Sequence, residues 1–177
     1  MSNIQLRQGD IQVSDKQTLV LPVSCDGRVE NVFFRPILLR YPYMWTKFLN
    51  ICSKGLMVKG KLWLYRHTPN RYVLAFPVRD NILNDYSLEY VQEGLQKFLS
   101  TYQEKEITSC AFPILGRAQG VEKLMCEYLS KCDIPLEIYS KNIPLSSTII
   151  PAVEKLCGKL DVAKEIEIKK KICFEEI

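Results

Sequence analysis

Histidine is nearly missing from this sequence: His67 is the only one among 177 residues. Ser-His-Asp, Cys-His and multi-histidine metal chemistries all need a histidine in the site. Each is left with one candidate, and His67 sits beside a predicted strand end, where a surface position is the plainer reading. Paired cysteines are missing as well. The seven cysteines (Cys25, Cys52, Cys110, Cys126, Cys132, Cys157, Cys173) are odd in number, and no two have CxxC spacing. Several fall in apolar runs that read as core. This pattern suits reduced thiols in a cytoplasmic setting and argues against a disulfide framework, a zinc site or any bound metal. No apolar run approaches the ~18 residues of a membrane span, and the opening SNIQLRQGD is polar and strand-like rather than a signal sequence. A dominant charge is absent too. Lysine and arginine number 24 against 20 aspartates and glutamates, a net +4. Bulk electrostatics therefore does not argue for nucleic acid, although a local basic patch stays open. There is no internal repeat and no low-complexity linker.

What remains is a chain of 47% apolar and 25% charged residues, enough for one globular domain with a core. Alternation predicts a strand from Ile4 to Gly9, and the TLVLPV run a buried strand over Thr18–Val23. Pro22 puts the end of that strand at a sheet margin or in a loop. SCDGRVEN (24–31) is turn-forming. Helices follow around Pro36, from Phe33 to Tyr41, and over Tyr43–Cys52. Gly55 and Gly60 bracket a turn. Lys61–Arg66 and Arg71–Phe76 read as a hairpin across HTPN. Ser87 is a suitable N-cap for a helix carrying Val91, Leu95 and Phe98 on one face, with Glu89 in its first turn. A last strand spans Ile134–Tyr139. The order β-β-α-α-β-β-α-β-α-β predicts an α/β fold: a three-layer α/β/α sandwich around a mixed, mostly parallel sheet. Ligands bind such sheets beyond the carboxyl ends of the strands, which selects the loops after Val23, Phe76 and Phe112. The core is expected over 1–140. Residues 141–177 read as a C-terminal helical and charged extension on the same domain, with a capped helix to about Cys157 and three lysines at 169–171.

The richest stretch is Ile107–Cys132. A buried run ends at Pro113, a turn holds Gly116 and Gly120, and an amphipathic helix starts at once with Val121, Met125, Leu129 and Cys132 on one face. A strand thus delivers the chain to a glycine-bearing loop at a helix N-terminus. Unpaired N–H groups and the positive end of the helix dipole make this a place for phosphates. Bare glycine backbone can approach an anion closely. The same turn also occurs in α/β domains that bind nothing there.

Six blocks, in order, resemble those of one family. They are Gln8-Gly9-Asp10-Ile11; the strand Thr18–Val23; Tyr41-Pro42 at the end of the first helix; Arg71-Tyr72 through Phe76-Pro77; Ser87-Leu88-Glu89 through Gly94-Leu95; and Phe112-Pro113-Ile114-Leu115-Gly116 through Gly120. The chain resembles a macrodomain, the fold that binds ADP-ribose, and in particular the DNA-directed antitoxin (DarG-type) variety and its stand-alone relatives. The resemblance covers roughly residues 3–140. It implies adenine at Asp10–Ile11, with Asp10 on the adenine amino group. It places the diphosphate on Leu115, Gly116, Arg117, Ala118 and Gly120, and the distal ribose at the first loop.

That first loop departs from the family. An Asn-x-x-Asn pattern followed by a glycine-rich stretch is replaced by Leu21-Pro22-Val23-Ser24, then Cys25-Asp26-Gly27-Arg28 and onward to Val32. Gly27 survives, whereas Glu30 and Val32 carry side chains where bare backbone would meet phosphate. The lysine of the hydrolytic antitoxin branch aligns with Arg79, which keeps the charge but does not deprotonate into a nucleophile. Arg79 and Arg117 are candidate anion clamps, and Ser24, Cys25 and Gly27 line the altered loop. A buried thiol suits Cys25 better than a nucleophile. Asp26 is a candidate general base on a water, and Phe76, Phe112 and Phe33–Phe34 are candidate stacking rings. The expectation is a binder of an ADP-ribose-type nucleotide or mark (a reader, sensor or sponge), without cofactor or membrane. The alternatives are an ADP-ribosyl glycohydrolase acting on DNA or protein through Asp26, Glu30 or Arg79, and a ligand-free scaffold for protein interaction.

Overall fold

The computed structural model describes residues 3–28 and 35–140. The expected extension over 141–177, with its lysine run, and the Glu30, Val32 and Phe33–Phe34 positions lie outside the described residues. The elements are β1 (Ile4–Gln8), a 3-10 turn (Ile11–Val13), β2 (Thr18–Ser24), α1 (Arg35–Arg40), α2 (Pro42–Ser53), β3 (Trp63–Thr68), β4 (Arg71–Arg79), α3 (Leu88–Thr101), β5 (Cys110–Pro113), α4 (Val121–Leu129) and β6 (Leu136–Ser140). They form one six-stranded sheet in the order β1-β6-β5-β2-β4-β3. Every neighbouring pair is parallel except β3 with β4. The expected element order is found, with the 3-10 turn added.

Period-two alternation separates the two faces. Leu19, Leu21, Val23, Val73, Ala75 and Ala111 face a core completed by Ile37, Met44 and Phe48 of α1 and α2. Val20, Leu74, Phe76, Val78 and Phe112 face a second core with α3 and α4. Both faces are thus covered, as a parallel sheet requires. At Gly94 of α3 a Cβ would stand 2.3 Å from the ring of Phe76. Only a glycine lets the helix lie that close to the sheet.

Pro22 does not end β2: the strand runs on to Ser24, with Pro22 opposite Phe76. The reason is that β5 pairs with β2 only at Thr18 and Leu19, so the edge a proline cannot bond is open there. Pro77 repeats this on β4, since β3 reaches no further than Ala75. β4 therefore continues past the expected end at Phe76 to Arg79, and a register shift at Val23/Ser24 sets Ser24 opposite Arg79. Two other expectations move slightly. β5 begins at Cys110 rather than Ile107, and Ser87 occupies the cap position of α3 without a side-chain cap hydrogen bond. Tyr41-Pro42 joins α1 to α2, with Pro42 in the first turn, where its missing N–H costs nothing.

Candidate functional site

Five parallel strands bring their carboxyl ends to one edge of the sheet at Gln8, Ser24, Arg79, Pro113 and Ser140. The expected ligand-binding residues, with Asp26, sit on that edge in three segments: 9–11, 24–28 with Arg79, and 114–120.

Asp10 caps the 3-10 turn. Its carboxylate accepts from the Gln12 N–H at 3.0 Å, and it is half-buried. Ile11 beside it is fully buried, so only its backbone can reach a ligand. Behind this segment lies a polar cluster that no sequence motif marked. Glu137 of β6 is 3% exposed. It accepts hydrogen bonds from Ser14 Oγ at 2.7 Å and Tyr139 Oη at 3.0 Å, with Arg7 and Lys16 at 3.4 and 3.5 Å. Burial, and then the Glu137 carboxylate, push the Tyr139 phenol up to about 12. This cluster anchors the chain just after the 3-10 turn to β1 and β6.

The first loop is a tight turn closed by Gly27 N–H on Ser24 O, with Gly27 at φ +82°. A Cβ on Gly27 would meet Leu49 and Cys52 of α2 at 3.1 and 3.3 Å. Backbone bonds run from Cys25 N–H to Arg79 O and from Asp26 N–H to Asp80 O. The Asp26 carboxylate accepts from the N–H groups of Arg28 (3.1 Å) and Ile82 (3.2 Å), so it ties this turn to the loop after β4. Burial, followed by Asp80 and Asp26, pushes the Cys25 thiol up to about 11. That is the reverse of what activates a thiol nucleophile.

Arg79 is 6% exposed. Its Nε donates to Ser24 Oγ at 3.1 Å, its Nη1 donates to Asn84 O at 3.0 Å, and its guanidinium lies 4.5 Å from the centre of the Tyr86 ring. Two of its donors thus serve the protein's own loops. Tyr86 was not foreseen; the only sequence signal was an aromatic just ahead of the α3 cap. It stands against the third segment, where a Cβ on Gly116 would come within 2.5 Å of its ring.

That third segment runs from β5 into α4. Leu115 is fully buried and anchors it. Gly116 (φ +98°) and Gly120 (φ +86°) both hold left-handed backbone, and Gly120 is the cap residue of α4. Arg117 and Gly120 are exposed and Ala118 half-exposed. Gly120 has open space where a Cβ would stand. Phe76 and Phe112 are wholly buried, so they cap the core and are not available as stacking rings. Among the described residues no group of three or more histidine, cysteine, aspartate or glutamate side chains is placed to hold a metal. No helix among them is long and apolar enough to cross a membrane.

The arrangement is an edge with one cupped, glycine-bearing turn at a helix start, a capped carboxylate on one side and a cation-braced turn on the other. Comparison with known proteins gives this edge a context. No family model matches the chain. The DNA ADP-ribosyl transferase–DNA ADP-ribosyl glycohydrolase fusion protein of Thermosipho africanus is 27% identical over 171 residues, covering 83% of this chain and 43% of that protein. The solved structure of Thermosipho africanus DarTG in complex with ADP-ribose superposes with a TM-score of 0.75 at 25% identity, over 88% of this chain and 46% of that one. The macrodomain of Mycobacterium tuberculosis DarG superposes with a TM-score of 0.71 at 25% identity, over 77% of this chain and 96% of that one. The chain spans less than half the length of the curated relatives it matches. It has the macrodomain fold, and its likeness is to DarG-type macrodomains.

Proposed function

We propose that this chain binds an ADP-ribose-type nucleotide along the carboxyl edge of its sheet. Adenine lies beside Asp10–Ile11, the diphosphate on Leu115–Gly120, and the distal ribose against Ser24–Arg28. The observation that carries the reading is the 114–120 turn. It pairs two left-handed glycines with a helix start, on a fold shared with a relative solved in complex with ADP-ribose. A diphosphate there meets backbone donors with no Cβ in the way at Gly120.

Binding is favoured over hydrolysis by the state of the candidate catalytic groups. Asp26 spends both carboxylate oxygens on backbone N–H groups, Arg79 is enclosed, and the Cys25 thiol is held protonated. The glycohydrolase reading has its own support in the similarity to DNA ADP-ribosyl glycohydrolases of Mycobacterium bovis and Thermus aquaticus.

Calorimetry with ADP-ribose tests the proposal. Gly120→Asp is the informative control, because aspartate tolerates left-handed backbone and the position is open. The expected result is micromolar binding, lost in Gly120→Asp and kept in Gly120→Asn. No binding by the intact protein overturns the reading. Release of free ADP-ribose from an ADP-ribosylated oligonucleotide would replace the binder with the glycohydrolase.

A further inference from the structure

The strands β1 and β2 are not neighbours: β6 and β5 lie between them. Residues 9–17 therefore cross about 14 Å, three interstrand spacings, over the α1–α2 face of the sheet. This short crossing carries Asp10 and the 3-10 turn Ile11–Val13, so its path fixes where the Asp10 carboxylate stands. On β6, Leu136 and Ile138 face the α3–α4 core, and alternation turns Glu137 and Tyr139 to the side that the crossing covers. Packing at position 137 would be met by an apolar residue, because a buried ion pair is often no more stabilising than well-packed apolar side chains. A carboxylate that is 3% exposed needs another reason.

The two oxygens of Glu137 face different partners. Oε1 faces the cations, Arg7 Nε at 3.4 Å and Lys16 Nζ at 3.5 Å. Oε2 accepts from two hydroxyls, Ser14 Oγ at 2.7 Å and Tyr139 Oη at 3.0 Å. Tyr139 belongs to the sheet, whereas Ser14 belongs to the crossing and closes the 3-10 turn as its C-cap. From Ser14 the bonds lead back to Asp10. The Ser14 N–H donates to Ile11 O at 3.1 Å, and the Val13 N–H donates to Asp10 O at 3.1 Å. The Gln12 N–H donates to Asp10 Oδ1 at 3.0 Å. The other carboxylate oxygen, Oδ2, accepts from the Gln12 side-chain amide at 3.4 Å. That is long for such a bond, so an amino donor of better geometry can displace it.

We infer that Glu137, acting through Ser14, is a positioning residue that aims Asp10 Oδ2 at the amino group of adenine, an inference that rests on the proposed placement of adenine at Asp10–Ile11. Glu137 thereby sets the preference of the site for adenine over a 6-oxo purine. A carboxylate oxygen attracts a 6-amino group and repels a 6-oxo group, and a site built for a donor rejects the analogue that lacks it. Such discrimination needs an acceptor that is held still. A short, charge-assisted bond from a buried anion to the end of the turn supplies that.

Ser14→Ala and Tyr139→Phe each remove one hydroxyl bond to the same Glu137 oxygen, the first from the crossing and the second from the sheet. Calorimetry with ADP-ribose and with its inosine counterpart, in which a 6-oxo group replaces the 6-amino group, reads the preference. The intact protein should favour ADP-ribose by at least about tenfold. Ser14→Ala and Glu137→Leu should each bring that ratio below about threefold, and the double variant should go no further than either alone. Tyr139→Phe should keep the ratio within about twofold of the intact protein, as should Glu137→Gln, whose carboxamide oxygen still accepts from both hydroxyls. A merely structural role would weaken both nucleotides alike and would not separate the serine from the tyrosine. Urea unfolding shows whether Glu137→Leu is folded; if it is not, Ser14→Ala against Tyr139→Phe decides. An unmoved ratio in Ser14→Ala, an equal fall in Tyr139→Phe, or no preference in an intact protein that binds both nucleotides overturns the inference and leaves the proposed function standing. Failure of the intact protein to bind either nucleotide overturns both.

Discussion

The guanidinium of Arg79 lies 4.5 Å from the centre of the Tyr86 ring. Arg79 also holds Ser24 Oγ, and Tyr86 stands against Gly116. The first and third loops of the candidate site are therefore joined through two side chains, neither of which needs to touch a ligand. Cation–π contacts strengthen when water is excluded, and here the arginine is buried. Arg79 thus acts as a brace between loops, with its charge close to where a diphosphate would lie.

Removing the ring should loosen both loops. Tyr86→Ala is expected to weaken ADP-ribose binding about tenfold and to lower stability by about 1–2 kcal/mol. Tyr86→Phe keeps the ring and should recover most of both losses. Calorimetry and urea unfolding of the two variants check this. Undiminished affinity in Tyr86→Ala would show that the loops hold their positions without the brace.

The two glycines of the third loop should respond differently to the same change. At Gly116 a methyl group meets Tyr86 at 2.5 Å and backbone at φ +98°, whereas at Gly120 it meets open space at φ +86°. Gly116→Ala is expected to cost about 2–3 kcal/mol and Gly120→Ala about 1 kcal/mol. Urea denaturation gives the order, and a reversed order would mean that Tyr86 yields freely.

The Cys25 and Cys52 thiols are both pushed up to about 11, first by burial. At pH 8 their thiolate fraction is then roughly 100-fold below that of an unperturbed cysteine, and alkylation by iodoacetamide should be slower in proportion. Mass spectrometry after timed alkylation of the folded protein measures it. The linkage has a definite sign. The folded state keeps these protons to higher pH than the unfolded chain does, so their contribution to stability is complete below about pH 9 and declines as the pH rises towards 11. Fast alkylation at pH 8 would contradict this.

Much of the fold was legible because its signals are local. The alternation in Thr18–Val23, the helical spacing of Val91, Leu95 and Phe98, and the strand-turn-helix around Gly116 and Gly120 each lie within a few residues. Pro22 does mark the margin where β5 has stopped pairing with β2, but how far β2 runs beyond it, to Ser24, depends on its pairing with β4, which no local pattern records. Glu137 went unmarked because a carboxylate in a strand ordinarily faces solvent. Here both sheet faces are covered, and its partners come from β1 and the 14–16 turn. Phe76 and Phe112 looked like candidate stacking rings at strand ends, but β4 continues beyond Phe76 and both rings are enclosed by α3 and α4.

By itself the sequence determined the succession of strands and helices and the glycine-bearing turn ahead of α4, since each is a property of neighbouring residues. Only the tertiary structure decided that Asp26 is turned to the backbone of Ile82. It likewise decided that Arg79 donates to Ser24, 55 residues away. Those outcomes follow from the β5-β2-β4-β3 strand order. That order is set by which buried faces fit together across the whole chain, and no short-range pattern contains it.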